Sequence, residues 1–149
     1  TGLDLSAYFL AVAEHEERSR PDGKRAVHRY IHGNAESTGF PDASFDLVTL
    51  TFTLHECPES ATRSIMKEAR RLLRPGGVVA ITDNDPKSPV IQNLPPVLFT
   101  LMKSTEPWSD EYYLLDFEAA LRDAGFDVTQ SVRSDPRHRT VMARAGPAK

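Results

Sequence analysis

A chain of 149 residues, 40% hydrophobic and 26% charged with a formal net charge of −3, has the length of one domain and enough apolar content to bury a core, which excludes a disordered chain. Its acidic balance argues against a duplex-coating nucleic-acid binder, whose domain is normally basic. The single cysteine, Cys57, forbids an intramolecular disulfide and points to an intracellular compartment, cytoplasm or organelle. The longest purely apolar run, Ala7 to Ala13, falls far short of the roughly 20 residues that span a bilayer.

Residues 1–5, TGLDL, read as a short extended apolar stub carrying one acid. Ser6 is placed to cap the helix that follows, in which Phe9, Leu10, Val12 and Ala13 form a stripe for burial. RPDGK is a turn, and AVHRYIHG alternates as a strand, with Val27 and Ile31 on one face and Gly33 closing it. From Arg18 to His32 the chain collects five Lys/Arg and two His against one Asp. This patch suits an anionic partner or, more blandly, a solvated helix end and turn. His28 and His32 would stand about 13 Å apart on a strand, too far to share a metal ion.

After the polar loop NAESTGFPDAS, the stretch FDLVTLTFTLH is β-branched and nearly continuous, as expected of a parallel strand covered on both faces. In ATRSIMKEARRLLRPGG the residues Ala61, Ile65, Met66, Ala69, Leu72 and Leu73 fall at helical spacing. Arg70, Arg71 and Arg74 suit the negative end of the dipole, and Pro75-Gly76-Gly77 stops the helix. VVAITD is the next strand. Residues 86–113 form a Pro-rich insertion with a helix from about Pro96. LLDFEAALRDAGF is a helix with Asp116 near its start and Gly125 just past its end. FDVTQSV and RTVMARA are strands joined by RSDPRH. Strands alternating with helices imply one α/β domain over residues 1–149, a doubly wound and mostly parallel sheet. The terminal return without a helix adds one antiparallel C-terminal strand.

Four pieces in this order, GLDLS, GNAESTGFPDASFDLV, EARRLLRPGGVVAITD and LRDAGF, resemble the class I S-adenosylmethionine-dependent methyltransferases, in particular the branch containing the ubiquinone and menaquinone biosynthesis enzymes. The resemblance runs from Thr1 to about Ala145 and implies a Rossmann-like sheet of strand order 3-2-1-4-5-7-6. It implies S-adenosyl-L-methionine as cofactor and a small aromatic or prenylated molecule as methyl acceptor. Asp4, ending the second strand, would accept both ribose hydroxyls, with Leu5 near the adenine; a carboxylate capping the next helix is the structural alternative. Asn34 would read the adenine amino group and the Ala35 N–H a ring nitrogen, unless Asn34 merely turns the chain. Thr51 and Phe52 would contact the methionine part through main-chain atoms. Asp46 is more suited to fixing a strand start than to touching a ligand.

His55 is the acid/base candidate, because imidazole titrates near neutrality and this strand end faces the transfer site; packing or capping is the other reading. Methyl transfer from a sulfonium needs chiefly proximity and alignment. No metal is expected. Asp83, Asn84 and Asp85 resemble the acid–amide pair of magnesium-dependent catechol-type O-methyltransferases, but that family needs an acid after the preceding strand, where this chain reads TFTLHE. Substrate choice falls to the 86–113 insertion. There Leu98, Phe99, Met102, Trp108, Tyr112 and Tyr113 either line an acceptor pocket or serve as core beneath a covering helix.

The first, central strand of the resemblance and its glycine-rich loop have no counterpart. Either the strands on each side of the gap pair directly, or another segment or chain, such as a dimer partner, fills it, or the sequence is a fragment of a longer protein. The last is the expectation, since two unpaired apolar edges invite aggregation. A catalytic part of a longer methyltransferase and a non-catalytic remnant serving as a binding or assembly subunit are the two functional readings.

Overall fold

A computed structural model describes residues 1–21, 26, 27 and 29–147. These fall into two compact units, Thr1–Gly39 and Phe40–Lys149. The RPDGK turn and His28 of the histidine pair lie partly or wholly outside the described residues, so the basic stretch from Arg18 to His32 is seen only in part.

In the first unit β1 (Gly2–Asp4) pairs in parallel with β2 (Tyr30–His32), and α1 (Ala7–Arg18) follows β1. Ser6 caps α1 as its composition dictates, accepting from the Phe9 N–H at 3.3 Å. The expected buried stripe does not form: α1 contains no buried residue, and Phe9 is 63% exposed. The reason is area, since a two-stranded ribbon three residues long is too small to cover three turns of helix.

The second unit holds β3 (Phe45–Thr51), α2 (Glu59–Leu72), β4 (Leu73–Asn84), α3 (Pro89–Gln92), α4 (Pro96–Thr105), α5 (Ser109–Leu114), α6 (Phe117–Asp123), β5 (Phe126–Arg133) and β6 (His138–Ala145). Its sheet runs β3-β4-β6-β5. β3 and β4 are parallel, and β6 lies antiparallel to both β4 and β5, so β6 is the reversed strand. Within the second unit the order β3-β4-β6-β5 agrees with the 4-5-7-6 part of the expected order, and within the first unit β1 and β2 are neighbours as expected of its 3-2 part.

Two local expectations change. Leu73 is extended rather than helical, and α2 ends at Leu72, because a residue before proline avoids the helical region and the helix must stop ahead of Arg74-Pro75. The RPGG run then joins β4, and register shifts between Phe45 and Leu47. Gly77 suits the close approach there: a Cβ would meet the Arg74 and Asp46 carbonyl oxygens tightly, at 3.0 and 3.1 Å. Likewise β3, expected to be covered on both faces, is an edge strand of its sheet, bonded among the described residues to β4 alone, with Leu47 56% exposed.

The core is built where periodicities meet. Ile65, Met66, Ala69 and Leu72 of α2 are buried, as are Phe117, Ala120 and Leu121 of α6. The two helices pack on each other and on β4 and β5, where Val79, Ile81, Phe126 and, on β6, Val141 and Ala143 are buried. Asp116 caps α6 through the Ala119 N–H at 3.0 Å, and Gly125 at φ 92° ends it. Leu121 is fully buried. Leu121→Ala is expected to lower unfolding free energy by about 2–5 kcal/mol in urea titration, whereas truncating the exposed Leu101 moves it by about 0.5 kcal/mol or less. Among the described residues no helix is long and apolar enough to cross a membrane.

Candidate functional site

Alternation along β4 turns Val79, Ile81 and then Asp83 to the buried side, so an acid ends an otherwise apolar face. Such a carboxylate must be hydrogen-bonded to be tolerated, and at 2% exposure Asp83 is saturated. Its Oδ2 accepts from the Leu54 and His55 N–H groups at 2.9 and 3.4 Å. Its Oδ1 accepts from the Asn84 N–H at 2.8 Å and contacts His55 Nδ1 at 2.6 Å. The amides belong to the 3-10 turn Leu54–Glu56 that follows β3, so one carboxylate fixes both the backbone and the imidazole of that turn.

The His55 side chain is 13% exposed. The hydrogen bond to Asp83 raises its pKa above the ordinary histidine value, burial opposes the rise, and the charges of Asp83, Glu106 and Glu56 reinforce it. An ionised carboxylate can only accept. In the neutral imidazole Nδ1 therefore carries the proton and Nε2 the lone pair, and Nε2 lies 3.9 Å from Glu56 Oε1. A histidine oriented in this way by a buried acid is the arrangement that takes a proton from a bound hydroxyl.

Behind His55 lies an aromatic wall. The Tyr112 ring is 6.3 Å from His55, 5.6 Å from Tyr113 and 6.2 Å from Phe117. Tyr112 donates to the Asn84 carbonyl at 2.7 Å, and burial holds its phenol protonated far above the usual range. Burial likewise pushes Tyr113 up to about 12. A cavity of about 480 Å³ is walled by Ile91, Leu94, Pro96, Phe99, Tyr113 and Leu114, with Gln92 and Asp110 as its polar members. Of the six acceptor candidates Phe99 and Tyr113 reach this cavity. Tyr112 is core, Met102 is half-buried, Leu98 and Trp108 are exposed, and none of these four lines it. Neighbouring helical positions point about 100° apart, so one of two adjacent tyrosines had to turn away.

The first unit gathers the residues expected to meet adenosine. Asp4 is opposite His32 in the β1–β2 register, the Gly33 N–H donates to the Asp4 carbonyl at 3.0 Å, and His32 Nε2 lies 2.8 Å from the Leu5 carbonyl. Asp4 Oδ1 accepts from the Ser6 N–H at 2.6 Å. A carboxylate has about four lone-pair sites, so the group fits a vicinal diol as well as a helix start. Asn34 Oδ1 accepts from the Glu36 N–H at 2.8 Å, the turn contact expected on the alternative reading. Its amide donors and the half-buried Ala35 beside it complete the loop.

In the second unit β3 ends at Thr51, and Phe52 follows at φ 52°, a conformation that costs a side chain of this size about 1–3 kcal/mol. The Phe52 N–H donates to the Thr82 carbonyl at 2.9 Å and its ring meets His138 edge-on at 4.8 Å. Asp46 pairs with Arg74 at 2.6 Å on the exposed surface. Asp83 contacts His55, the Asn84 backbone carbonyl accepts from Tyr112, and Asp85 accepts from the Lys87 N–H and pairs with Arg133. Among the described residues no three His, Cys, Asp or Glu side chains gather as a metal site. Asp83 as the partner of His55 is what sequence reading missed; the available signal was its place as the last inward position of VVAITD.

A family model described as "Methyltransferase domain" matches residues 1–81. The demethylmenaquinone methyltransferase of Geobacillus stearothermophilus is 43% identical over 77 residues, 52% of this chain and 31% of the relative. The chain thus matches about a third of that relative's length. A SAM-dependent methyltransferase from Methanosarcina mazei superposes with a TM-score of 0.71 at 18% identity, over 97% of this chain and 81% of that one. Phosphoethanolamine N-methyltransferase 2 of Haemonchus contortus, solved in complex with S-adenosyl-L-methionine, gives 0.72 at 18% identity, over 98% and 43%. At these identities the structural likeness speaks to the fold, which is Rossmann-like.

Proposed function

We propose, for a chain that belongs to the methyltransferase domain family, that it serves S-adenosyl-L-methionine-dependent methyl transfer to a hydroxylated aromatic acceptor of quinol type. The observation that carries this reading is the His55–Asp83 pair at 2.6 Å, on the unit that holds a largely apolar cavity lined by Phe99 and Tyr113 among others. The demethylmenaquinone methyltransferase name of a 43% identical relative supports a quinone-derived acceptor.

When bound, the cofactor supplies a sulfonium methyl group, electrophilic without further activation. The chain supplies binding and a proton acceptor. In the first unit we assign the ribose to Asp4, with Leu5, Asn34 and Ala35 about the adenine. In the second we assign the main-chain contacts to Thr51 and Phe52. His55 Nε2 takes the proton of the acceptor hydroxyl, raising electron density on the attacking atom, while Asp83 holds the resulting imidazolium. The cavity with Phe99 receives the apolar remainder of the acceptor, and Met102, Trp108 and Tyr112 support the helices around it.

Calorimetric titration with S-adenosyl-L-methionine, followed by transfer of labelled methyl to 1,4-dihydroxynaphthalene, tests the reading; saturable binding and label in the naphthol are expected. Asp4→Ala removes a charged acceptor and should weaken cofactor binding by roughly 10- to 100-fold. The exposed apolar residues Leu5, Tyr8 and Phe9 favour the second reading, a non-catalytic assembly subunit. That reading holds if the chain binds no cofactor and forms a stable complex through α1.

A further inference from the structure

The last two strands set two arginines side by side. Arg133 stands directly opposite Arg139 in the β5–β6 register, and opposite residues of an antiparallel pair share a face with Cβ atoms about 5 Å apart, where like charges repel. The row continues on β4 to Asp83, the register partner of Arg139. Asp83 has no lone pair to spare for it, because the Leu54, His55 and Asn84 N–H groups and His55 Nδ1 engage both of its oxygens. The neighbouring acids are committed as well, Asp85 to Arg133 at 3.3 Å and Asp135 to His138 at 2.7 Å. Among the described residues the Arg139 guanidinium therefore has no hydrogen-bond acceptor. It rests over the Phe117 ring, 5.3 Å from its centre, a contact that uses the charge and leaves the N–H donors idle. Arg139 is half-buried, so five donors are partly withdrawn from water without a partner. Arg133 is bonded through Nε alone and its side chain is 51% exposed, which leaves its terminal N–H groups open beside those of Arg139.

We propose that Arg139, assisted by Arg133, binds the carboxylate of a small organic acid. A guanidinium meets a carboxylate through paired, coplanar N–H donors, and Phe117 holds that of Arg139 in place for it. Charge narrows the class. Two arginines against Asp83 and Asp85 leave this end of the sheet close to neutral, so the ligand is held by donor geometry and not by a large excess of positive charge. A planar, singly charged anion suits such a site, whereas a dianion such as sulfate meets stronger repulsion from the same two carboxylates. An anion between the arginines also relieves their mutual repulsion. This site rests on the strand register and is independent of the methyl-transfer reading; failure of either leaves the other standing.

Side-chain nuclear magnetic resonance of the whole chain tests it. The arginine Nε–H signals are followed while sodium benzoate is added, with sodium sulfate and sodium chloride at equal ionic strength as references, and Arg139→Lys identifies the Arg139 signal by removing it. Benzoate should move the Arg139 and Arg133 signals saturably and leave that of the distant, exposed Arg122 in place. It should bind about tenfold tighter than sulfate. Arg139→Gln should weaken benzoate roughly 10- to 100-fold, and Arg139→Lys, which keeps the charge without the fork, should restore only part of the loss. Shifts that do not saturate, that chloride reproduces, or that sulfate matches overturn the proposal, as does full affinity in Arg139→Gln. If Arg139 merely packs on Phe117, the substitution lowers stability while the unaltered chain shows no benzoate response, so the unaltered chain decides the matter even where a variant fails to fold.

Discussion

His55→Gln lowers kcat for methyl transfer by about 100- to 10 000-fold, the range contributed by a positioned proton acceptor, and leaves S-adenosyl-L-methionine affinity unchanged. The pH profile carries the sharper signature. Hydrogen bonding to Asp83 raises the His55 pKa, and the neutral imidazole is the working form. Activity should therefore rise with pH to a plateau, with a midpoint above the ordinary histidine value of about 6.5. Stability follows the opposite course. The folded state favours the protonated imidazole, so this contribution is complete below the unfolded pKa and is lost as pH rises through the folded one. Urea unfolding across that window should show stability falling with pH in the native sequence and a flatter response in His55→Gln. A midpoint at or below 6.5 in the rate profile would remove His55 as the base.

How much of this was legible beforehand depended on whether the signal was local. Ser6, Asp116 and Gly125 announce helix boundaries by their own backbone and side-chain chemistry, and each does what it announces. The reversed direction of β6 follows from the missing helix between the last two strands, because a return without a crossover must be antiparallel, whereas the strand order was implied only by the family resemblance. Burial was less legible. The apolar run from Phe45 to Thr51 reads like a strand covered on both faces, yet Leu47 and Phe52 are open to solvent; hydrophobicity marks what a segment can bury and says nothing of whether a cover is present. The stripe of α1 is the same case.

The site divided along the same line. His55 is conspicuous because few residues titrate near neutrality, and the short β1 and β2 bring Asp4, Leu5 and the Asn34 loop together. Asp83 was visible as an acid at a strand end, but nothing in its sequence neighbourhood pointed to a histidine partner. Its real partner is 28 residues away, supplied by a parallel pairing whose register places Thr51 beside Thr82. That register brings the turn after β3 against the end of β4. Pairings of this range are decided by packing, and no local window contains them. The choice between Tyr112 and Tyr113 is similar, a matter of how α5 is rotated.

The strongest test of that long-range pairing is Asp83 itself. Asp83→Ala leaves the Leu54, His55 and Asn84 N–H groups without their carboxylate in a site 2% exposed, and each buried donor left unmatched costs about 1–3 kcal/mol. The variant should lose about 3–5 kcal/mol in urea titration, enough to leave a marginal domain partly unfolded. Asp83→Asn keeps an acceptor oxygen and the volume, so it should fold with a smaller loss. It cannot hold an imidazolium, and its amide can donate to Nδ1 and favour the wrong tautomer. We expect kcat to fall about 100-fold or more and the pH midpoint to drop, with KM for the acceptor little changed. The decisive measurement is the double variant. If Asp83 acts through His55, His55→Gln combined with Asp83→Asn is no slower than His55→Gln alone, since a unit once broken cannot be broken again. Multiplying effects would instead mean that Asp83 serves catalysis independently of the histidine it holds.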